Sequence, residues 1–277
     1  MRESSYHLSM INKEKFQRAH GDINVEINND DIKRFYQSGS AKVFYHKHEQ
    51  PIKELVLVNT AGGLTSGDKF NYDIDIIKNS NTFVTTQTAE RVYKGLEDNA
   101  KININLKVDN SSKLFWIPQE LILFNLCNFA RNIEVKIQPK SNFLMAESMI
   151  FGRTAMGEIL EKGFIKDNWK IFLNEKLIHA EAICLSDNIK DNLSNIASAQ
   201  DAVAVSNIFI YGKSFLSKQN EITTLIKNSE DVLLSHSIWN DKILVRIVAK
   251  DAFNLKKIQK ELILIFSDNV LPKVWNN

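Results

Sequence analysis

The chain has 277 residues, 44% of them hydrophobic and 25% charged, with 35 Lys and Arg against 33 Asp and Glu. That is globular composition and excludes a disordered, fibrous or coiled-coil protein. A formal charge of +2 supplies none of the clustered cations that grip a phosphate backbone, so nucleic acid is excluded as a partner.

The first twenty residues contain no apolar run, so no secretory signal is expected there. The longest apolar runs, Leu121–Phe124 and Leu262–Phe266, fall far short of the roughly 20 residues that span a bilayer. A cytoplasmic protein is expected. Next comes a long series of period-two segments. Ile23, Val25 and Ile27 alternate with Asn24 and Glu26; Ile74 and Ile76 with Asp73 and Asp75; Ile102, Ile104, Leu106 and Val108 with Asn103, Asn105 and Lys107; Ile133, Val135 and Ile137 repeat the pattern. Each predicts a strand with one buried and one wet face. Leu55–Val58 and Ile243–Val248 are apolar enough to be covered on both faces. Turn clusters at 28–31, 78–81 and 109–112 separate the strands. With only 10 Gly and 4 Pro in the chain, Asn, Asp and Ser must supply much of the turn chemistry.

Helical spacing appears late. Leu255, Ile258, Leu262, Ile265 and Phe266 share one face of a helix that Asp251 or Asn254 caps. Segments near Ile196–Val205 and Glu221–Ile226 also read as helical, and Pro272 ends any helix before Trp275. No linker, repeat or composition shift divides the chain. The prediction is one mainly β domain over 1–277, many short strands in packed sheets with a few helices, one near the C-terminus.

Cys127 and Cys184 form no ligand set and read as small buried hydrophobes in a reducing compartment. Residues 59–68, Asn-Thr-Ala-Gly-Gly-Leu-Thr-Ser-Gly-Asp, follow an apolar strand as phosphate loops do. Gly62 and Gly67 even have phosphate-loop spacing, but Asp68 stands where that loop requires Lys, and no helix pattern follows. Gly62, Gly63 and Gly67 therefore read as turn residues.

There is no nucleophile elbow. Arg153 and Glu158 read as an ion pair across a turn. His46 and His48 share a strand face and raise the alternative of a metal-dependent hydrolase. Polar groups within apolar strands are more informative: Glu147 in 144–150, Glu181 in 178–183, Gln119 and Glu120 after Pro118, and Thr86, Gln87, Glu90 and Arg91 in 85–93. A carboxylate enclosed by apolar neighbours must be paired, neutralised or turned to internal water. Two readings stay open: buried ion pairs, for instance Glu90 or Glu120 with Arg91 or Arg153, or a polar internal passage.

These motifs have a pattern. The segments 59–68, 85–93, Trp-Ile-Pro-Gln-Glu-Leu-Ile-Leu-Phe (116–124), Phe-Gly-Arg-Thr-Ala-Met-Gly-Glu (151–158), His-Ala-Glu-Ala (179–182) and Leu-Pro-Lys-Val-Trp (271–275) resemble, in order and nearly end to end, the urease accessory protein D family. Asn125 departs from it, standing where the family usually has Asp, and Ser66 stands where many relatives carry Gly.

The resemblance implies a non-enzymatic, mainly β scaffold that binds apo-urease subunits and accessory protein F. Protein F recruits the GTPase accessory protein G, and nickel passes to the urease site. No tightly bound cofactor or metal is expected on this chain, only nickel in transit, for which exchangeable carboxylate, hydroxyl and amide ligands are suited. On that reading Asp68, Thr86, Glu147 and Glu181 line or flank the route. Gly62, Gly63, Gly67, Gln87, Glu90, Arg91, Gln119, Glu120, Arg153 and Glu158 support its walls. Exposed apolar surface for these partners predicts poor solubility alone. A small-molecule-binding β domain is the remaining alternative.

Overall fold

A computed structural model describes residues 17–46, 51–96, 98–153, 156–227 and 232–276. Seventeen strands among them form two sheets. The first has seven strands in the order β14 (Lys176–Ser186), β13 (Phe164–Leu173), β11 (Asn128–Ile137), β8 (Ala100–Val108), β5 (Lys69–Ile77), β1 (His20–Asn28) and β2 (Asp31–Gly39). The second has ten. Its main path runs β16 (Val232–Trp239), β17 (Lys242–Ala249), β15 (Ala204–Tyr211), β12 (Asn142–Phe151), β9 (Lys113–Trp116), β6 (Asn81–Thr86), β4 (Lys53–Asn59) and β3 (Ala41–His46). The short β7 (Glu90–Val92) and β10 (Leu121–Leu123) join beside β12.

From β4 to β13 the chain passes back and forth between the sheets, and strands stack in parallel within each: β5, β8, β11 and β13 in one, β4, β6, β9 and β12 in the other. The result is a solenoid-like stack. Alternation dictates its layers. In β8, Ile102, Ile104, Leu106 and Val108 point into the core while Lys101, Asn103, Asn105 and Lys107 face solvent. An amide ladder crosses that wet face, Asn168 to Asn132 to Asn103 to Asn71 to Asp22, at 2.8–3.3 Å.

Strands of the second sheet are buried on both sides. Phe143, Met145, Met149 and Phe151 of β12 enter the inter-sheet core, and Leu144, Ala146 and Ile150 pack under the helical layer. That layer contains α2 (Lys213–Leu216), α3 (Gln219–Lys227) and α4 (Ala252–Phe266). Asp251 caps α4, its carboxylate accepting from the Asn254 amide at 2.7 Å.

Several expectations change. Ile196–Val205 is not helical: residues 196–201 form turns, Ala204 and Val205 begin β15, and the helix, α1 (Ile189–Ser194), lies one turn earlier. β17 is not covered on both faces, since Arg246 is exposed. Cys127 is buried as expected, but Cys184 is exposed, and both are free thiols. The turn chemistry is as expected: left-handed backbone falls on Asn29, Asp30, Asn79, Asn174, Asn240 and Asp241 among others. No helix of the described residues is long and apolar enough to cross a membrane.

Candidate functional site

The parallel stack of the second sheet breaks at one level. β6 ends at Thr86 and the chain steps sideways before β7. β9 ends at Trp116 and steps similarly before β10. Pro118 enforces the second step because it has no N–H for the ladder. The two connections tie to each other: the Gln119 amide donates to Thr86 Oγ1 at 2.9 Å, and the Glu90 amide to the Glu120 carbonyl at 2.9 Å.

A cavity of about 100 Å³ lies at this break, large enough for several water molecules. Exposed Gly62, Gln87 and Thr88 form its mouth, and buried Trp116, Arg131 and Glu147 its floor. The glycine segment forms part of the wall. Gly63 has φ +142°, and a Cβ there would meet the Tyr93 ring and the Arg91 carbonyl at 2.4 and 2.9 Å, so only glycine fits.

The floor is a buried charge triad. Arg131 on β11 donates to Glu147 on β12 at 2.7 Å, and at 2.9 and 2.8 Å to Asp167 on β13. Two indoles complete it: Trp116 Nε1 donates to Glu147 at 2.6 Å and Trp169 Nε1 to Asp167 at 3.1 Å. Burial raises the pKa of the Glu147 carboxyl, opposed by the Arg131 charge beside it. Burial also works against the Arg131 charge, but Asp167 and Glu147 together hold its pKa above the ordinary value. With both carboxylates ionised the triad is net −1. Nearer the mouth, Asn59 Nδ2 reaches both oxygens of Glu90 at 3.2 Å. Burial lifts Glu90 to about 7, against the lowering effect of that hydrogen bond.

The structure gathers Thr86, Glu147, Gly62, Gly63, Gln87, Glu90, Arg91 and Gln119 at this cavity. Asp68 and Glu181 are not part of its lining. Asp68 is buried beneath the glycine turn, accepting from the Ala19 and Thr65 amides at 2.8 Å each, and Gly67 sits beside it in that turn. Glu181, on β14, accepts from Arg246 at 2.6 Å and approaches His179 Nε2 at 3.4 Å. The His179 hydrogen bond leads in lowering its pKa, with Arg246 adding to the effect.

A row of side chains links the two places. Glu147, Asn207 on β15 and Arg246 on β17 are successive direct cross-strand partners and so share the face turned to the first sheet. Rows on either side of them are apolar: Met145, Phe209 and Leu244, and Met149, Val205 and Val248.

The expected partners of two carboxylates are corrected. Glu90 is held by Asn59, not by an arginine side chain, and Glu120 pairs with Lys256 of α4 at 2.9 Å. Arg153 and Glu158 do pair across their turn, next to Asn125, whose Oδ1 accepts from the amides of Leu126, Glu161 and Lys162 at 3.0–3.1 Å. Of the two histidines, His48 lies outside the described residues. Among those residues no group of three or more His, Cys, Asp or Glu side chains is placed to hold a metal ion. Sequence reasoning overlooked Asn59, Trp116, Arg131 and Asp167. The signal was there: Arg131 sits between Phe129 and Ile133, and Asp167 between Ile165 and Trp169, on inward positions of alternating strands.

The family described as UreD urease accessory protein matches residues 17–276. This chain belongs to the UreD family. Relatives span nearly its whole length. The urease accessory protein UreD of Rhizobium leguminosarum bv. viciae is 33% identical over 246 residues, 88% of this chain and 89% of the relative. That of Rhodopseudomonas palustris (strain BisB5) is 32% identical over 265 residues, 93% and 92%. Urease accessory protein UreD 1 of Brucella anthropi is 32% identical over 253 residues, 88% of each. UreD membership means an accessory protein, not an enzyme, and sets aside the hydrolase reading.

Proposed function

We propose that this chain acts in urease maturation as a scaffold that binds apo-urease subunits and accessory protein F, which recruits the GTPase protein G, and that nickel is handed on through its inter-sheet layer. The observation that carries this reading is the polar row Glu147–Asn207–Arg246. It runs between two apolar rows from the buried Glu147 of the cavity floor to the exposed Arg246, which pairs with Glu181. Glu147 at its inner end is buried, which is costly unless that carboxylate is paired or faces a hydrated path. Thr86, Glu90 and Glu147 offer oxygen ligands from mouth to floor, Glu181 continues them toward the open edge, and Asp68 flanks the entry. Hard, exchangeable oxygen ligands let a divalent ion move where a closed thiolate or imidazole site would hold it. The net negative floor attracts a cation, and Arg131 fixes the carboxylates in place.

The test is Glu147→Gln and Glu181→Ala, singly and together, in cells carrying the urease operon, with nickel per urease active site measured alongside recovery of the accessory complex. The expected result is an intact complex and at least tenfold less nickel in the double variant. Full nickel loading in that variant would refute the route.

A further inference from the structure

Every sheet has edges, and an unguarded edge strand invites another strand. Strands at the other sheet ends carry guards. β2 has Asp31, Lys33, Arg34 and a register shift at its pairing with β1; β14 has Lys176, Glu181 and a register shift opposite β13; β3 is short and carries Lys42. β16, Val-Leu-Leu-Ser-His-Ser-Ile-Trp, has no Asp, Glu, Lys, Arg or Pro, and its eight residues pair with β17 without a bulge. It ends the sheet path, and its apolar side chains are left in solvent: Leu233 is 61% exposed, Ile238 39% and Trp239 37%.

The sequence of β16 is complementary to itself. In an antiparallel pairing centred on His236, Leu233 lies opposite Trp239, Leu234 opposite Ile238, and Ser235 opposite Ser237. From Leu233 to Trp239 that register sets apolar residues against apolar ones and polar against polar, while Val232 falls opposite Asn240 of the turn. Centring on a residue keeps odd-numbered positions opposite odd ones, so each face of the sheet continues into its copy. The even-numbered Val232 and Leu234 already pack toward the helical layer, and on that side Leu234 and Ile238 meet across the joint on either flank of a central His236 pair. An isologous contact of this kind closes on itself and does not propagate into a fibre.

We propose that β16 is a homodimerisation edge: two copies of this chain pair their β16 strands antiparallel about a two-fold axis at His236, joining two ten-stranded sheets into one. This is independent of the nickel route.

The register makes the test sharp. Directly opposed Cα atoms in an antiparallel pair are about 4.5–5.5 Å apart, within disulfide range. In full-length chain carrying Cys184→Ser, to remove the exposed thiol, His236→Cys should yield a reductant-sensitive covalent dimer on mild oxidation in cell extract. Adding Leu233→Lys should lower that yield about tenfold, and Ser235→Cys, two residues out of register with itself, should cross-link far less. Sedimentation of the chain without added cysteines should show a dimer that Leu233→Lys converts to a folded monomer, its melting temperature no longer dependent on protein concentration. No cross-link at position 236 in folded chain, or a cross-link indifferent to Leu233→Lys, overturns the proposal. A monomeric chain in which Leu233→Lys instead abolishes binding of urease subunits or protein F also overturns it and assigns the edge to a foreign strand.

Discussion

Arg131 on the seven-stranded sheet donates to Glu147 on the ten-stranded sheet at 2.7 Å, the charged tie across the floor of the cavity. Both side chains are buried, so each is held by the other's charge and by a further hydrogen bond, Arg131 donating to Asp167 and Glu147 accepting from Trp116. A buried pair of this kind is weak evidence of net stability, but removing one partner leaves an uncompensated charge.

Arg131→Met is therefore expected to destabilise by about 3–5 kcal/mol, because it strands Glu147 and Asp167 together. Glu147→Gln keeps the Trp116 hydrogen bond and leaves Arg131 paired with Asp167, so it should cost about 1–2 kcal/mol. Chemical denaturation of the two variants tests the order. An Arg131→Met variant as stable as wild type would show that the triad is not held in the folded chain.

Glu90 links pH to stability. Its carboxyl is raised to about 7 in the fold, above the ordinary 4.5, so between those values the folded state binds more protons than the unfolded one. Its contribution is then greatest below about pH 4.5 and declines as pH rises through 7. Glu90→Gln should remove this penalty, gaining about 1–3 kcal/mol at pH 8 relative to wild type and almost nothing at pH 4.5. Melting curves at the two pH values measure the difference, and a gain that is equal at both would contradict it.

The C-terminal Trp275 fixes the cavity wall from behind. Its indole donates to Thr85 Oγ1 and the Ile117 carbonyl at 3.0 and 3.1 Å, while Gln119 bridges Lys256 and the Val274 carbonyl at 2.6 and 3.3 Å. Trp275→Ala should cost about 3–5 kcal/mol through the cavity it leaves. Hydrogen exchange should reveal faster opening at Gln119 and Glu90. Loss confined to the last residues would rule out the coupling.

Asn125 anchors the turn that follows β10. One oxygen accepts from three backbone amides, a task either an Asn or an Asp side chain performs. Asn125→Asp should change stability by less than about 1 kcal/mol, because stronger charge-assisted bonds offset the nearby Glu158. Asn125→Ala should cost about 1–2 kcal/mol, since the exposed amides of Glu161 and Lys162 lose their acceptor to water while Leu126 keeps the Lys162 carbonyl. Thermal melts compare the two, and equal losses in both would refute the anchoring role.

Sequence alone settled the strands and their faces. Alternation of apolar and polar residues is a local property with the period of the pleat, so β1, β5, β8 and β11 were legible, as were α4 and its cap at Asp251. The helix expected over 196–205 was not legible, because a short apolar stretch carries no period that separates turn and strand from helix. The motifs also marked half of the site: Thr86, Glu90, Gln119 and Glu147 were visible as polar residues in apolar settings. What they face was decided only by the tertiary structure. Whether a buried carboxylate meets an arginine, an indole or an amide depends on which strands stack, and contacts between β6, β11 and β12 span tens of residues that leave no trace in local pattern. That is why Arg131 emerged as the shared partner of Glu147 and Asp167, and why Asp68 and Glu181 stand outside the lining of the cavity.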